Sequence, residues 1–147
     1  MLLLYLEPLF ATAGAFLLLI SPETYTSDMT RRTIATVDPK SHFLFQQLAG
    51  GWLHLAFTEA VVLRLVDDMR VWRLLCMGIL VSDILYCHSM AQGVGGWAVW
   101  IKVWDWTLKE WIATVTTWPF VLARCAIVSG IGMKSSAPKG ARAKKSD

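Results

Sequence analysis

The stretch HLAFTEAVVLRL, residues 54–65, decides the fold, because it is an apolar run of the kind that crosses a membrane and yet carries an ionisable carboxyl. Glu59 lies among Ala, Val, Phe and Thr residues, and the next charged residue, Arg64, follows five positions later. A charge within a bilayer costs at least about 2.5–3.5 kcal/mol on insertion scales. The Glu59 carboxyl is therefore expected to face protein rather than lipid.

The composition of the chain indicates a membrane protein. Hydrophobic residues make up 55% of its 147 residues and charged residues only 17%, against about 25% charged residues in soluble domains. The charges gather at the ends of apolar segments, and many of the eight tryptophans lie near those ends, as interfacial aromatics do. The net charge of +3 does not indicate a nucleic-acid partner, because most basic residues flank apolar segments or lie in the tail.

Four apolar segments are long enough to cross the roughly 30 Å hydrocarbon layer, which takes about 20 helical residues. They cover residues 2–20, 45–66, 72–91 and 108–132. The first segment has no basic start, and ISPETY follows it in place of an A-x-A-like cleavage site, so we expect a retained span rather than a signal peptide.

The predicted fold class is therefore all-α, an integral membrane four-helix bundle over residues 1–133 followed by a basic cytosolic tail over residues 134–147. Residues 21–44 and 92–107 are predicted loops. Pro119 is expected to kink the fourth helix, because proline removes one backbone donor.

Four spans place both termini on one side of the membrane. That side collects eight basic residues: Arg64, Arg70, Arg73, Lys134, Lys139, Arg142, Lys144 and Lys145. The opposite side has five: Arg31, Arg32, Lys40, Lys102 and Lys109. The positive-inside rule then predicts that both termini are cytosolic.

The last four residues, KKSD (144–147), resemble the dilysine retrieval signal of endoplasmic-reticulum membrane proteins. The resemblance implies a multi-pass protein of that membrane, and coat proteins read such a signal from the cytosol. The alternative is an ordinary solvated basic tail.

Each predicted span carries one charged residue at a similar depth: Glu7, Glu59, Asp83 and Arg124. At 1.5 Å per residue the four lie within roughly 10 Å of one another in depth. The least costly arrangement turns all four toward the bundle axis, where Glu59 faces a polar cavity and Arg124 pairs with a carboxylate. Three carboxyls beside one arginine cannot all stay ionised cheaply, so at least one is expected to be protonated. A carboxylic acid beside a carboxylate suits paired general acid and base chemistry.

Further polar and aromatic residues are candidates for the same cavity. We expect an orienting or electrostatic role for Tyr86, His54 and Asp105, and a substrate-lining role for Trp52, Thr58 and Trp106. Each has a structural alternative: the charges can serve as ion pairs between helices, and the aromatics as packing or interfacial residues.

No cofactor and no metal is expected, because the buried positions show no His/carboxylate set at helical ligand spacing. Cys76, Cys87 and Cys125 lie in apolar segments without metal-ligand spacing and are interpreted as small core residues.

Several motifs resemble a known family, namely EPLFATAGAFLLLISPETY (7–25), EAVVLR (59–64), DDMRVWR (67–73), SDILY (82–86) and WDW (104–106). Together with a late arginine, they resemble small four-span fungal membrane proteins long classed as a domain of unknown function. Some members of this type resemble epoxide-opening hydrolases and cyclases of polyketide or meroterpenoid pathways. The resemblance implies shared positions at Glu7, Pro8, Glu59, Arg64, Asp83, Asp105, Trp106 and Arg124. The family pattern tends to place a His where this chain has Tyr86, which weakens a His-based mechanism.

The first functional hypothesis is an enzyme that opens an epoxide in a lipophilic small molecule of fungal secondary metabolism, by hydrolysis or cyclisation. In that reaction Asp83 donates a proton to the epoxide oxygen and Glu59 accepts one from water or an internal hydroxyl. Glu7 and Arg124 keep the pair in different protonation states.

Two alternatives remain open from the sequence. The same carboxyls suit carbocation chemistry, as in membrane isomerases and terpene cyclases. A non-enzymatic scaffold or assembly factor of the endoplasmic reticulum would use the charges only for helix pairing. The expected partners are the lipid bilayer and a lipophilic substrate, with a homo-oligomer as a further option.

Overall fold

The computed structural model describes residues 2–131, which form helices joined by short loops, with no β-strand among them. In chain order the helices are α1 (Leu2–Ile20), α2 (Pro22–Met29), α3 (Pro39–Leu65), α4 (Met69–Gly93), α5 (Trp97–Trp100) and α6 (Leu108–Ser129). Within the described part of the chain, α1, α3, α4 and α6 are long and apolar enough to cross a membrane. The predicted all-α fold, with four helices long and apolar enough to span a membrane, is confirmed for the described residues. The tail at 134–147, with KKSD, lies outside the described residues, as does residue 132 of the predicted fourth segment.

Small residues bring α1 and α3 into close contact along their length. Ala15 and Ala49 are buried together with Leu18 in this interface. At Gly14 a Cβ atom would lie 2.2 Å from Cζ3 of Trp52, so the Trp52 ring occupies the space that any larger residue would need. The identity of residue 14 is therefore dictated by the packing of α3 on α1.

The second helix pair is α4 and the C-terminal half of α6, which pack against each other. The first turn of α1 contacts both the last turns of α3 and the C-terminal half of α6. The start of α1, the end of α3 and the end of α6 therefore lie at one end of the bundle, which we call the terminal end. The opposite end, with α2 and α5, is called the loop end.

Capping residues explain why α3 and α4 begin earlier than the hydrophobic pattern predicts. Asp38 accepts a hydrogen bond from the Lys40 N–H (2.9 Å), which starts a turn of 3₁₀ helix that leads into α3. Asp68 accepts one from the Arg70 N–H (2.8 Å) at the start of α4. An aspartate at this position satisfies a backbone donor that a helix N-terminus leaves free.

The predicted loops contain helical structure that the apolar pattern did not indicate. Residues 21–44 include the polar helix α2, which starts with Pro22 at a position where proline costs no hydrogen bond. Ion pairs tie α2 and the following turn to the start of α6: Lys109 to Asp28 (2.8 Å) and Arg31 to Glu110 (2.7 Å).

The predicted kink in α6 is present. The helix is interrupted between Val115 and Trp118. Pro119 has no N–H to donate to the Val115 carbonyl four residues earlier, and its ring crowds that carbonyl. The regular hydrogen bonding therefore ends at Val115 and resumes at Trp118.

Candidate functional site

One arginine binds three carboxyls near the terminal end of the bundle. Nη1 of Arg124 donates to Oδ2 of Asp83 (2.5 Å), and Nη2 donates to Oε1 of Glu59 (2.8 Å). The same Nη2 atom also forms an ion pair with Oε1 of Glu7. We call Glu7, Glu59, Asp83 and Arg124 the charged cluster; each of the four membrane-spanning helices contributes one member.

The members of the charged cluster differ in how far they are enclosed. The side chains of Arg124 and Glu59 have no exposed surface, whereas those of Glu7 and Asp83 are 10% and 12% exposed. The cluster is thus closed at its centre and reaches the protein surface at two edges, one on α1 and one on α4.

Part of the hydrogen-bonding capacity of the charged cluster is unused. Oε2 of Glu7, Oε2 of Glu59 and Nε of Arg124 are buried and have no hydrogen-bond partner within residues 2–131. A buried polar atom without a partner costs free energy, so such atoms are uncommon in folded proteins. Glu7 and Glu59 therefore each have one carboxylate oxygen without a hydrogen-bond partner in the described part of the chain.

Wide helical turns carry the two glutamates. Glu59 lies within a π-helical turn, Thr58–Val62, in which the Leu63 N–H donates to the carbonyl of Thr58. Glu7 follows directly after a second π-helical turn, Leu2–Leu6. The two turns contact each other. Such turns are rare and occur frequently at functional sites, because they displace a side chain from the regular helical register.

Pro8 and Arg64 hold the turn that precedes Glu7. Pro8 has no N–H, so the Leu4 carbonyl, four residues earlier, cannot accept the usual α-helical hydrogen bond. Nη2 of Arg64 donates to that carbonyl, and the Arg64 guanidinium lies 4.1 Å from the centre of the Tyr5 ring. Arg64 is thereby tied to α1 at two points beside Glu7.

Three of the other predicted site residues lie at or near the charged cluster. Thr58 is buried next to Glu59 in the π-helical turn. Trp52 lies seven residues before Glu59, about 10 Å toward the loop end. Its ring centre is 6.1 Å from that of Tyr86 and 5.7 Å from that of Tyr25. Burial raises the pKa of the Tyr25 hydroxyl above its ordinary value.

The structure does not bring the other three predicted site residues, His54, Asp105 and Trp106, into contact with the charged cluster. His54 is exposed; five residues before Glu59, it points about 140° away from that side chain on a regular helix. Asp105 is exposed in the loop before α6, and Trp106 packs against Trp100, to whose carbonyl its Nε1 donates (2.6 Å). Sixteen helical residues, or about 24 Å, separate the start of α6 from Arg124.

The polar cavity expected around Glu59 is occupied by the Arg124 guanidinium. A small enclosed cavity does lie at the loop end, lined among others by Met90 and Trp100, and an open groove follows α2. Neither includes a member of the charged cluster. Among the described residues, no group of three or more His, Cys, Asp or Glu side chains is arranged to hold a metal ion.

Cys76 is a neighbour of the site that the sequence analysis missed. Its side chain is fully buried and lies close to the charged cluster. The signal was its position seven residues before Asp83, which places the two residues on one face of α4. Cys87 is half-buried and Cys125 is exposed, so the prediction of a core position fails for Cys125.

Comparison with curated proteins and with solved structures finds no match. The family comparison does find one, and it includes all four long helices and every member of the charged cluster. The chain belongs to the family described as a domain of unknown function (DUF7704), which matches residues 1–134.

Proposed function

We propose that this protein is a membrane-embedded enzyme that uses the carboxyls of the charged cluster as general acid and base on a lipophilic small molecule. The specific reaction proposed is the opening of an epoxide, by hydrolysis or cyclisation, without a cofactor. The choice of epoxide opening, and of fungal secondary metabolism as its setting, draws on the sequence resemblance of the family motifs.

The observation that carries this proposal is the number of carboxyls on one guanidinium. Arg124 is neutralised by one carboxylate, and an ion pair between two helices would need no more than that. The second and third carboxyls each add a desolvation cost that the pairing does not require. An excess of acidic groups around one buried cation is typical of sites that hold a carboxylic acid and a carboxylate side by side.

Epoxide opening requires a proton donor on one side of the reacting carbon and a proton acceptor on the other. Protonation of the epoxide oxygen lets the C–O bond break, with its electron pair going to that oxygen. The nucleophile, water or an internal hydroxyl, forms the new C–O bond and loses its proton to a carboxylate. Water gives a diol, and an internal hydroxyl gives a cyclic ether.

The partly exposed edges at Glu7 and Asp83 support access from the surrounding lipid. A lipophilic substrate dissolves in the bilayer and reaches these edges without crossing water. Trp52 and Tyr86 lie within two turns of Glu59 and Asp83, and their rings offer faces that attract developing positive charge. The same ring faces also suit a carbocation, as in isomerase or terpene-cyclase chemistry. Those reactions differ from epoxide opening only in the substrate and in whether an oxygen atom from water enters the product.

The test compares lipophilic metabolites of the host with and without the gene, with cells grown in oxygen-18 water. The wild-type gene, Glu59→Gln and Asp83→Asn are each reintroduced at matched protein levels. An epoxide that accumulates on deletion and is consumed only by the wild type supports the proposal. Label in the product indicates hydrolysis, and its absence indicates cyclisation or isomerisation.

Asp67→Asn is the matched control, because Asp67 is an exposed carboxyl in the turn between α3 and α4, outside the charged cluster. It is expected to restore the metabolite profile fully. A profile that the deletion leaves unchanged would refute the enzymatic proposal.

A second candidate, a non-enzymatic scaffold, is favoured by the complete enclosure of Arg124 and Glu59. In that case the charged cluster only joins helices. Glu59→Gln and Asp83→Asn would then lower the amount of folded protein, whereas an enzyme variant would stay folded and inactive.

We further propose that the protein resides in the endoplasmic-reticulum membrane with both termini in the cytosol. The support is the KKSD ending together with the excess of basic residues on the terminal side. Replacing Lys144 and Lys145 by Ser is expected to release the protein to later compartments, as fluorescence microscopy would show. Unchanged localisation would indicate that the basic tail is not a retrieval signal.

A further inference from the structure

We infer that Glu7 and Glu59 form a carboxyl pair that shares a proton, and that Asp83 is the ionised carboxylate of the charged cluster. The division follows from how the three carboxyls contact Arg124. Asp83 has Nη1 to itself at 2.5 Å, whereas Glu7 and Glu59 both contact Nη2. A carboxylate with its own charge-assisted donor keeps its negative charge most easily.

The two glutamates are near neighbours because their Oε1 atoms contact one nitrogen atom. Two ionised carboxylates at this separation repel each other, and burial strengthens the repulsion. A proton held by the pair removes this repulsion. Neither Oε2 atom of the two glutamates accepts a hydrogen bond from a described residue, so an O–H on either oxygen displaces no existing donor.

Arg64, the other positive charge beside the pair, is exposed, and its guanidinium contacts the Leu4 carbonyl and the Tyr5 ring. Arg124 comes from α6, and α4 contributes Asp83 and the buried thiol of Cys76. With Asp83 ionised, Arg124 is already neutralised. A fully ionised glutamate pair would therefore leave two uncompensated negative charges in a buried site, which is the costliest distribution.

The assignment gives each carboxyl a role, and this step rests on the proposed function. The glutamate pair donates its proton to the epoxide oxygen, and Asp83 accepts the proton that the nucleophile loses. The charged cluster ends the reaction with as many protons as it began with. Transfer of the proton from Asp83 back to the glutamate pair restores the starting protonation state. In the hypothesis from the sequence Asp83 is the proton donor, whereas in this assignment it is the proton acceptor.

Infrared spectroscopy of the full-length protein in phosphatidylcholine nanodiscs at neutral pH tests the location of the proton. The C=O stretch of a protonated carboxyl is separate from carboxylate bands, and carbon-13 in the carboxyl group lowers its frequency. One sample carries labelled glutamate and another labelled aspartate. The band is expected to shift with labelled glutamate only. A shift with labelled aspartate, or no protonated-carboxyl band, would overturn the inference.

Variants that leave the charged cluster untouched complete the assignment. The chain has four glutamates, Glu7, Glu23, Glu59 and Glu110. The double variant Glu23→Gln/Glu110→Gln is expected to keep the band, and loss of the band would refute the inference. Because the spectrum requires no turnover, its outcome is separate from that of the metabolite experiment.

Discussion

Arg64, near the end of α3, donates a hydrogen bond to the main-chain carbonyl of Leu4 in α1, the carbonyl that Pro8 deprives of its usual α-helical donor. Two motifs that begin 52 residues apart in the sequence, one with Glu7 before Pro8 and the other with Glu59 before Arg64, are therefore parts of one structure. The contact fixes the turn that carries Glu7 against the turn that carries Glu59.

Pro8 and Arg64 are predicted to be energetically coupled. Arg64→Gln removes a charge-assisted hydrogen bond and should lower the free energy of unfolding by about 1.5–3 kcal/mol. In the Pro8→Ala background the loss should be smaller, because residue 8 then offers its own N–H to the Leu4 carbonyl. A double-mutant cycle of unfolding in detergent micelles measures the coupling. Additive effects of the two substitutions would contradict this account.

Loss of Arg124 is predicted to destabilise the protein severely. Arg124→Met leaves three buried carboxyls without a counter-charge and should cost about 3–5 kcal/mol of unfolding free energy. Combining it with Glu7→Gln, Glu59→Gln and Asp83→Asn should recover part of that loss, since no buried charge then remains. Arg70→Met, at an exposed position, is the control and should change the stability little. Equal stability of Arg124→Met and the wild type would exclude a buried ionic network.

Gly14→Ala is predicted to disrupt the packing of α1 against α3. The added methyl group overlaps the Trp52 ring, and overpacking of this kind costs about 1–3 kcal/mol. Gly50→Ala is the matched control, because a Cβ at Gly50 meets no atom within 4 Å. Gly50→Ala should be neutral or stabilising by up to about 1 kcal/mol. Thermal unfolding of the two variants side by side provides the comparison.

Arg31 and Arg32 allow the ion pair at the loop end to be separated from backbone strain. Both residues have left-handed backbone conformations, with φ of 51° and 64°. Glycine relieves this strain equally at either site. Arg31→Gly also leaves the buried Glu110 carboxylate without its partner, which should make it less stable than Arg32→Gly by about 1–3 kcal/mol. Indistinguishable unfolding midpoints for the two variants would show that the ion pair does not stabilise the fold.

The convergence of Glu7, Glu59, Asp83 and Arg124 could be predicted because two simple quantities determine it. The cost of a charge in lipid forces each side chain inward, and the helical rise sets its depth. His54, Asp105 and Trp106 are not brought to the charged cluster, because those quantities do not govern their positions. His54 lies on the exposed side of α3, and Asp105 and Trp106 precede α6 in a segment with only a short 3₁₀ turn, Val103–Asp105.

By itself, the sequence determined which segments are helices long enough to cross a membrane and which four charged residues meet between them, because burial cost and helical geometry act on each segment alone. Only the tertiary structure decided how the carboxyls divide the Arg124 guanidinium, that Arg64 replaces the donor missing at Pro8, and that Arg124 fills the expected cavity. Those features depend on side-chain reach and on wide helical turns, which form only when the helices are packed against one another.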